Sequence, residues 1–137
     1  LDAMWAKEKL TDAEVHALMM VAMAATYDPH PRDPLGFRMP VNLETGELIP
    51  ARWRRWKEND PVEMVRRHVA ALKSLKAIYV DCGWRDQYHL HYGARMLSLE
   101  LARRGIAHVY EEFDDTHSSI DYRMDVSLPI LYRALKP

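Results

Sequence analysis

The chain has 137 residues, enough for one domain with a real core. Hydrophobic residues make up 48% and charged residues 28%, the profile of a soluble globular chain rather than a disordered one. The net charge of −1 excludes a global electrostatic pull toward nucleic acid or membrane, and no apolar run is long enough to span a bilayer.

A single cysteine, Cys82, excludes an internal disulfide framework and points to a reducing, cytoplasmic setting. No secretory signal is visible. The chain opens at Leu1, and removal of an initiator methionine normally exposes a small residue, so the chain is not expected to begin where its gene begins.

In chain order, "LTDAEVHALMMVAMAA" carries a helix start, with Thr11 as cap and Glu14 completing a T-x-x-E capping box. Val15, Leu18, Met19 and Ala22 recur at helical spacing, and Met19, Met20 and Met23 are expected to fill core. From Tyr27 to Pro50, "DPHPRDP" and "MPVNLETGELIP" predict a long loop, because each proline biases its predecessor away from helix. Helix resumes in "PARWRRWK", with Pro50 near its first position, and again after Asp60 as cap, Pro61 at N1 and Glu63 at N3. The basic, tryptophan-bearing run could bind single-stranded nucleic acid, but Trp53 and Trp56 share one helical face and read as aromatic packing. No nucleic-acid partner is therefore expected.

"KAIYVDCG" predicts a buried strand, "HLHYGARMLSLELARRG" a helix stopped at Gly105, and "AHVYEEF" a second strand. "DYRMDVSLPILYRAL" predicts a last helix, which Pro129 should bend or whose first turn it should limit. This α/β pattern is a βαβ unit with parallel strands and a right-handed crossover. A lone parallel pair cannot build a stable sheet, so further strands are expected from outside these residues or from a second copy.

Ligand sites in open parallel sheets lie outside the carboxyl ends of the strands. Two loops qualify there: "CGWRDQYHLH", which offers Asp86, and "DDTHSS", which offers His117. A carboxylate after one strand and a histidine after the next form the acid and base of a Ser-His-Asp arrangement, in the order that α/β-hydrolases use. Asp86 can equally cap the following helix, and Asp81 is a second-ranked acid because it lies within the strand. His89 and His91 form an H-x-H pair without a third ligand at convincing spacing, so no metal is expected. The acids Glu111, Glu112, Asp114 and Asp115 lack calcium-loop spacing. Ser118 and Ser119 share the loop of His117, too close to be its nucleophile, and Cys82 reads as a small buried hydrophobe.

On "YVDCGWRDQYHLHYGAR", "HVYEEFDDTHSSIDYRMDVSLPIL" and the earlier "MAATYDPHP" and "LETGELIPARWRRWKENDPVEMV", the chain resembles bacterial esterases of the α/β-hydrolase superfamily, in the esterase D-like and enterochelin esterase-like group. The resemblance implies that the chain is the C-terminal part of such an enzyme, with Asp86 as triad acid and His117 as triad base. Residues 1–75 would form a helical, proline-rich, cap-like excursion over the acyl pocket, and 76–137 the last two sheet strands with flanking helices. It implies hydrolysis of a small-molecule carboxylic ester without cofactor or metal. The chain contains no G-x-S-x-G elbow, so the serine is expected outside it, and the isolated chain is expected to be inactive. The alternative is a non-catalytic association module, a homo-oligomer whose sheet a second copy or another chain completes.

Overall fold

A computed structural model describes residues 4 and 6–136; Leu1, on which the expectation about the gene start falls, lies outside the described residues. The protein is of mixed α/β class. It divides into two compact units between Asp60 and Pro61, whereas the sequence reading drew its boundary at residue 75.

In the first unit, α1 spans Asp12–Tyr27 and α2 spans Pro50–Lys57. Helix α1 starts as its sequence dictates: the Thr11 hydroxyl accepts from the Glu14 amide, and the Glu14 carboxylate accepts from the Thr11 amide. Two orphan amide donors are thereby satisfied. Its apolar residues do not behave as core, however. Ala24 is buried, but Val15, Met19 and Met20 are exposed, because apolar residues lie around α1 without a single stripe to turn inward.

The loop between these helices is pinned rather than loose. Fully buried Asp28 accepts a forked pair of hydrogen bonds from Arg38, at 2.8 and 3.1 Å, with Arg55 at 3.5 Å. A buried charge needs such partners. Isolated antiparallel bridges, Pro29 with Phe37 and Val41 with Leu48, fold the loop back on itself. Pro50 opens α2 as expected. Its two tryptophans diverge in burial: Trp56 is buried edge-on against Tyr27 at 5.5 Å, while Trp53 is exposed.

The second unit begins with α3 (Pro61–Arg67) and α4 (Val69–Ser74), which interrupt at His68 what the sequence reads as one helix. Strand β1 (Tyr79–Gly83), helix α5 (Leu90–Arg103) and strand β2 (Val109–Phe113) follow. The strands pair in parallel, with Tyr79 opposite Val109 and Gly83 opposite Phe113. A short 3-10 turn (Asp121–Arg123) leads into α6 (Met124–Leu135). Pro129 sits inside α6, which continues through it for another six residues. Val65, Leu101 and Ile106 form the buried core, packed by Val69, Leu72, Ile78 and Leu97. That core explains the boundary: Val65, Val69 and Leu72 bring α3 and α4 into the βαβ unit. Among the described residues, no helix is long and apolar enough to cross a membrane.

Candidate active site

Because the strands are parallel, the loops that follow Gly83 and Phe113 leave the sheet at the same end. Gly83 sets how closely they run. A Cβ there would stand 2.3 Å from the Asp115 carbonyl oxygen and 2.7 Å from that of Thr116. Only a glycine admits this approach. The Trp84 amide then donates to the Phe113 carbonyl at 3.0 Å, and the Arg85 amide to the Asp115 carbonyl at 3.1 Å. The root of the second loop is thus tied to the first before either functional side chain appears.

The structure brings Asp86 and His117 together. Asp86 Oδ2 lies 2.9 Å from His117 Nδ1. The Asp86 side chain is almost wholly buried, while that of His117 is 46% exposed. The other oxygen, Oδ1, accepts from the Tyr88 amide at 2.7 Å and the Leu90 amide at 3.5 Å. The helix-start role and the histidine role are therefore not rivals: one carboxylate oxygen organises the turn into α5, and the other orients the imidazole. Burial alone would raise the Asp86 carboxyl. The hydrogen bonds from His117 and from the Tyr88 and Leu90 amides outweigh it and hold the group below its ordinary value. An ionised carboxylate only accepts, so Nδ1 carries the hydrogen and a neutral ring presents the Nε2 lone pair.

Two neighbours of Asp86 complete the setting. The Gln87 side-chain oxygen accepts from the His117 backbone amide at 3.0 Å, and its amide nitrogen donates to Ser118 Oγ at 3.2 Å. The Tyr88 ring meets the imidazole edge-to-face, with centroids 5.1 Å apart. Sequence reasoning missed both, and their only signal was adjacency to the acid. Between Asp86 and α5, His89 holds a left-handed backbone, φ 57°, which a non-glycine residue adopts only at a cost of about 1 kcal/mol or more.

The competing residues go elsewhere. Asp81 Oδ2 accepts from Arg123 Nε at 2.9 Å and from the Tyr79 hydroxyl at 3.2 Å, on the sheet face that carries Glu111. Cys82 is buried, and its thiol is pushed up by burial and then by the charge of Asp86, so it stays protonated and a poor nucleophile. Ser118 Oγ is engaged by Gln87 on the loop of His117 itself. His89 and His91 lie with ring centroids 5.9 Å apart, and among the described residues no group of three or more His, Cys, Asp or Glu is placed to hold a metal ion. Glu112, in place of a calcium role, takes the fork of Arg95 at 2.5 and 2.7 Å.

Chemically, the pair can accept a proton at Nε2 and stabilise the imidazolium that results. No protein-family model matches the chain, and a search of the curated proteins finds no match either.

Proposed function

We propose that this chain supplies the acid and the base of a serine carboxylic-ester hydrolase of the α/β-hydrolase fold, acting on a serine borne outside these 137 residues. The observation that carries the reading is the 2.9 Å contact between buried Asp86 and the half-exposed ring of His117, at the carboxyl ends of two parallel strands. His117 Nε2 would take the serine proton as the hydroxyl attacks the ester carbonyl, giving a tetrahedral intermediate. The same nitrogen then returns the proton to the leaving alcohol. It next draws a proton from the water that hydrolyses the acyl-enzyme. Asp86 stabilises the imidazolium in both half-reactions without becoming protonated itself. No cofactor enters these steps. The substrate is a small-molecule ester, and an aqueous cytoplasmic setting is the expected one.

The test is to read the frame upstream of the Leu1 codon, express it together with this chain, and assay p-nitrophenyl acetate hydrolysis. Turnover that requires a serine within a G-x-S-x-G segment, and that falls about 10⁶-fold in His117→Ala, sustains the reading. A start codon near Leu1 with no such elbow, or turnover indifferent to His117, sinks it.

A second reading is favoured by the sheet itself, which has two parallel strands among the described residues. Parallel pairs seldom stand alone, so β1 or β2 would accept a strand from a second copy or another chain. Sedimentation of the isolated chain tests this reading. Association unchanged in His117→Ala supports it, and a monomer at all concentrations overturns it for self-pairing.

A further inference from the structure

Asp86, Gln87 and Tyr88 are consecutive, and each contacts His117 at a different place. Asp86 holds ring nitrogen Nδ1, Tyr88 meets the ring edge-to-face, and Gln87 holds the backbone amide. From this convergence we infer that Gln87 is a positioning residue, locking the loop of His117 onto the turn of Asp86 so that the imidazole keeps one tautomer and one orientation. The inference rests on the proposed pairing of Asp86 with His117.

The orientation of the Gln87 amide follows from its partners. A backbone N–H can only donate, so the Gln87 oxygen faces His117 N at 3.0 Å. The side-chain NH₂ is thereby turned to Ser118 Oγ at 3.2 Å. One planar group thus grips two successive residues of the histidine loop. The grip is needed because that loop is exposed and irregular. Its internal bonds are short-range, such as Ser118 N to Thr116 Oγ1 at 3.3 Å, and Ser119 holds a left-handed backbone at φ 59°. A ring fixed only at Nδ1 still rocks about its own side-chain torsions as its backbone moves. With the amide fixed to the neighbour of the acid, ring and backbone are both referenced to the same turn, and the ring keeps one orientation.

Tautomer state is the readout, because a general loss of packing would not set it. Free histidine in water favours the hydrogen on Nε2, whereas pairing with Asp86 requires it on Nδ1. The measurement is imidazole ¹⁵N chemical shifts of the isolated chain at a pH where the ring is neutral, for wild type, Gln87→Leu and Gln87→Glu. Wild type should show the Nδ1–H form. Gln87→Leu, which has similar size but no polar atoms, should lose that single form and show a mixture of tautomers. Gln87→Glu should restore it, since a carboxylate accepts from the His117 amide and the Ser118 hydroxyl can turn to donate. A Gln87→Leu ring identical to wild type would overturn the positioning role while leaving the Asp86–His117 pair intact. Failure of Gln87→Glu to restore the Nδ1–H form, in a chain whose backbone amide spectrum is otherwise unchanged, would also overturn it. A wild-type ring in the Nε2–H form would refute the pairing itself, and the inference with it.

Discussion

Asp81 and Asp86 flank the end of β1, and each faces a nitrogen-bearing side chain contributed by the chain beyond β2. Their surroundings differ in one respect that matters. Asp81 belongs to a closed network: Arg123 bridges Asp81 at 2.9 Å and Glu111 at 2.7 Å, and the Tyr79 hydroxyl reaches both acids. Arg123 is held fully protonated by those two carboxylates, against the effect of its own burial. Burial, then the Glu111 hydrogen bond, pushes the Tyr79 hydroxyl up to about 12. Neither Arg123 nor the Tyr79 hydroxyl gives up a proton near neutrality. Asp86 instead meets the imidazole of His117, whose side chain is 46% exposed. Arginine stays charged throughout the physiological range, whereas histidine ordinarily changes charge within it, and it is on that difference that the proposed role of Asp86 depends.

The largest expected effect separates the two acids by activity. In the complete enzyme of the proposed function, Asp86→Asn should lower kcat/KM for a nitrophenyl ester about 10⁴-fold, equivalent to about 5.4 kcal/mol of barrier. Asn can still accept the Tyr88 amide through its oxygen, so the turn should survive and stability should change little. Asp81→Asn should leave kcat/KM within about tenfold. Equal losses from both would erase the distinction. The next effect is on stability. Arg123→Met strands Asp81 and Glu111, and breaking a buried pair costs about 3–5 kcal/mol. Glu111 is 38% exposed here, so about 2 kcal/mol is the better expectation, read from urea unfolding.

How far this contrast could be read from residues alone depends on the range of the interaction. The capping box of α1, Pro50 at the start of α2 and the strand–helix–strand order were legible because they rest on neighbours or short periodicities. Asp86 and His117 were legible as candidates because each follows a strand end. Their 2.9 Å contact joins positions 31 residues apart and had to be seen. Arg123 was silent for the same reason, since it meets Asp81 across 42 residues. The exposed Met19 and Met20 show a different limit: spacing tells which residues share a helix face, but not whether anything lies against that face.

A smaller expected effect tests whether the two loops must run as close as they do. Gly83→Ala would put a methyl group 2.3 Å from the Asp115 carbonyl oxygen, so backbone must move. Overpacking of this kind costs about 1–3 kcal/mol. The displaced segment is the root of the histidine loop. Gly83→Ala should therefore shift the backbone amide resonances of residues 115–118 along with the unfolding midpoint. A midpoint shift without those changes would mean that the strain is absorbed elsewhere.

The smallest effect concerns the far face of the sheet, where Glu112 repeats the closed pattern of Asp81 in a more exposed setting. The fork of Arg95, then the Tyr110 hydroxyl at 2.6 Å, holds the Glu112 carboxyl at about 2, against an ordinary 4.5. A carboxyl depressed in the folded state binds fewer protons there than in the unfolded chain. Its contribution is therefore complete above pH 4.5 and is lost as the pH falls toward 2. Stability from urea unfolding should decline across that window, and Glu112→Gln should make the decline shallower without moving the activity of the complete enzyme. Because Arg95 is 45% exposed, solvent screens the pair and the change should be modest. An acid limb as steep in Glu112→Gln as in wild type would assign the decline to other depressed carboxyls, Asp86 among them.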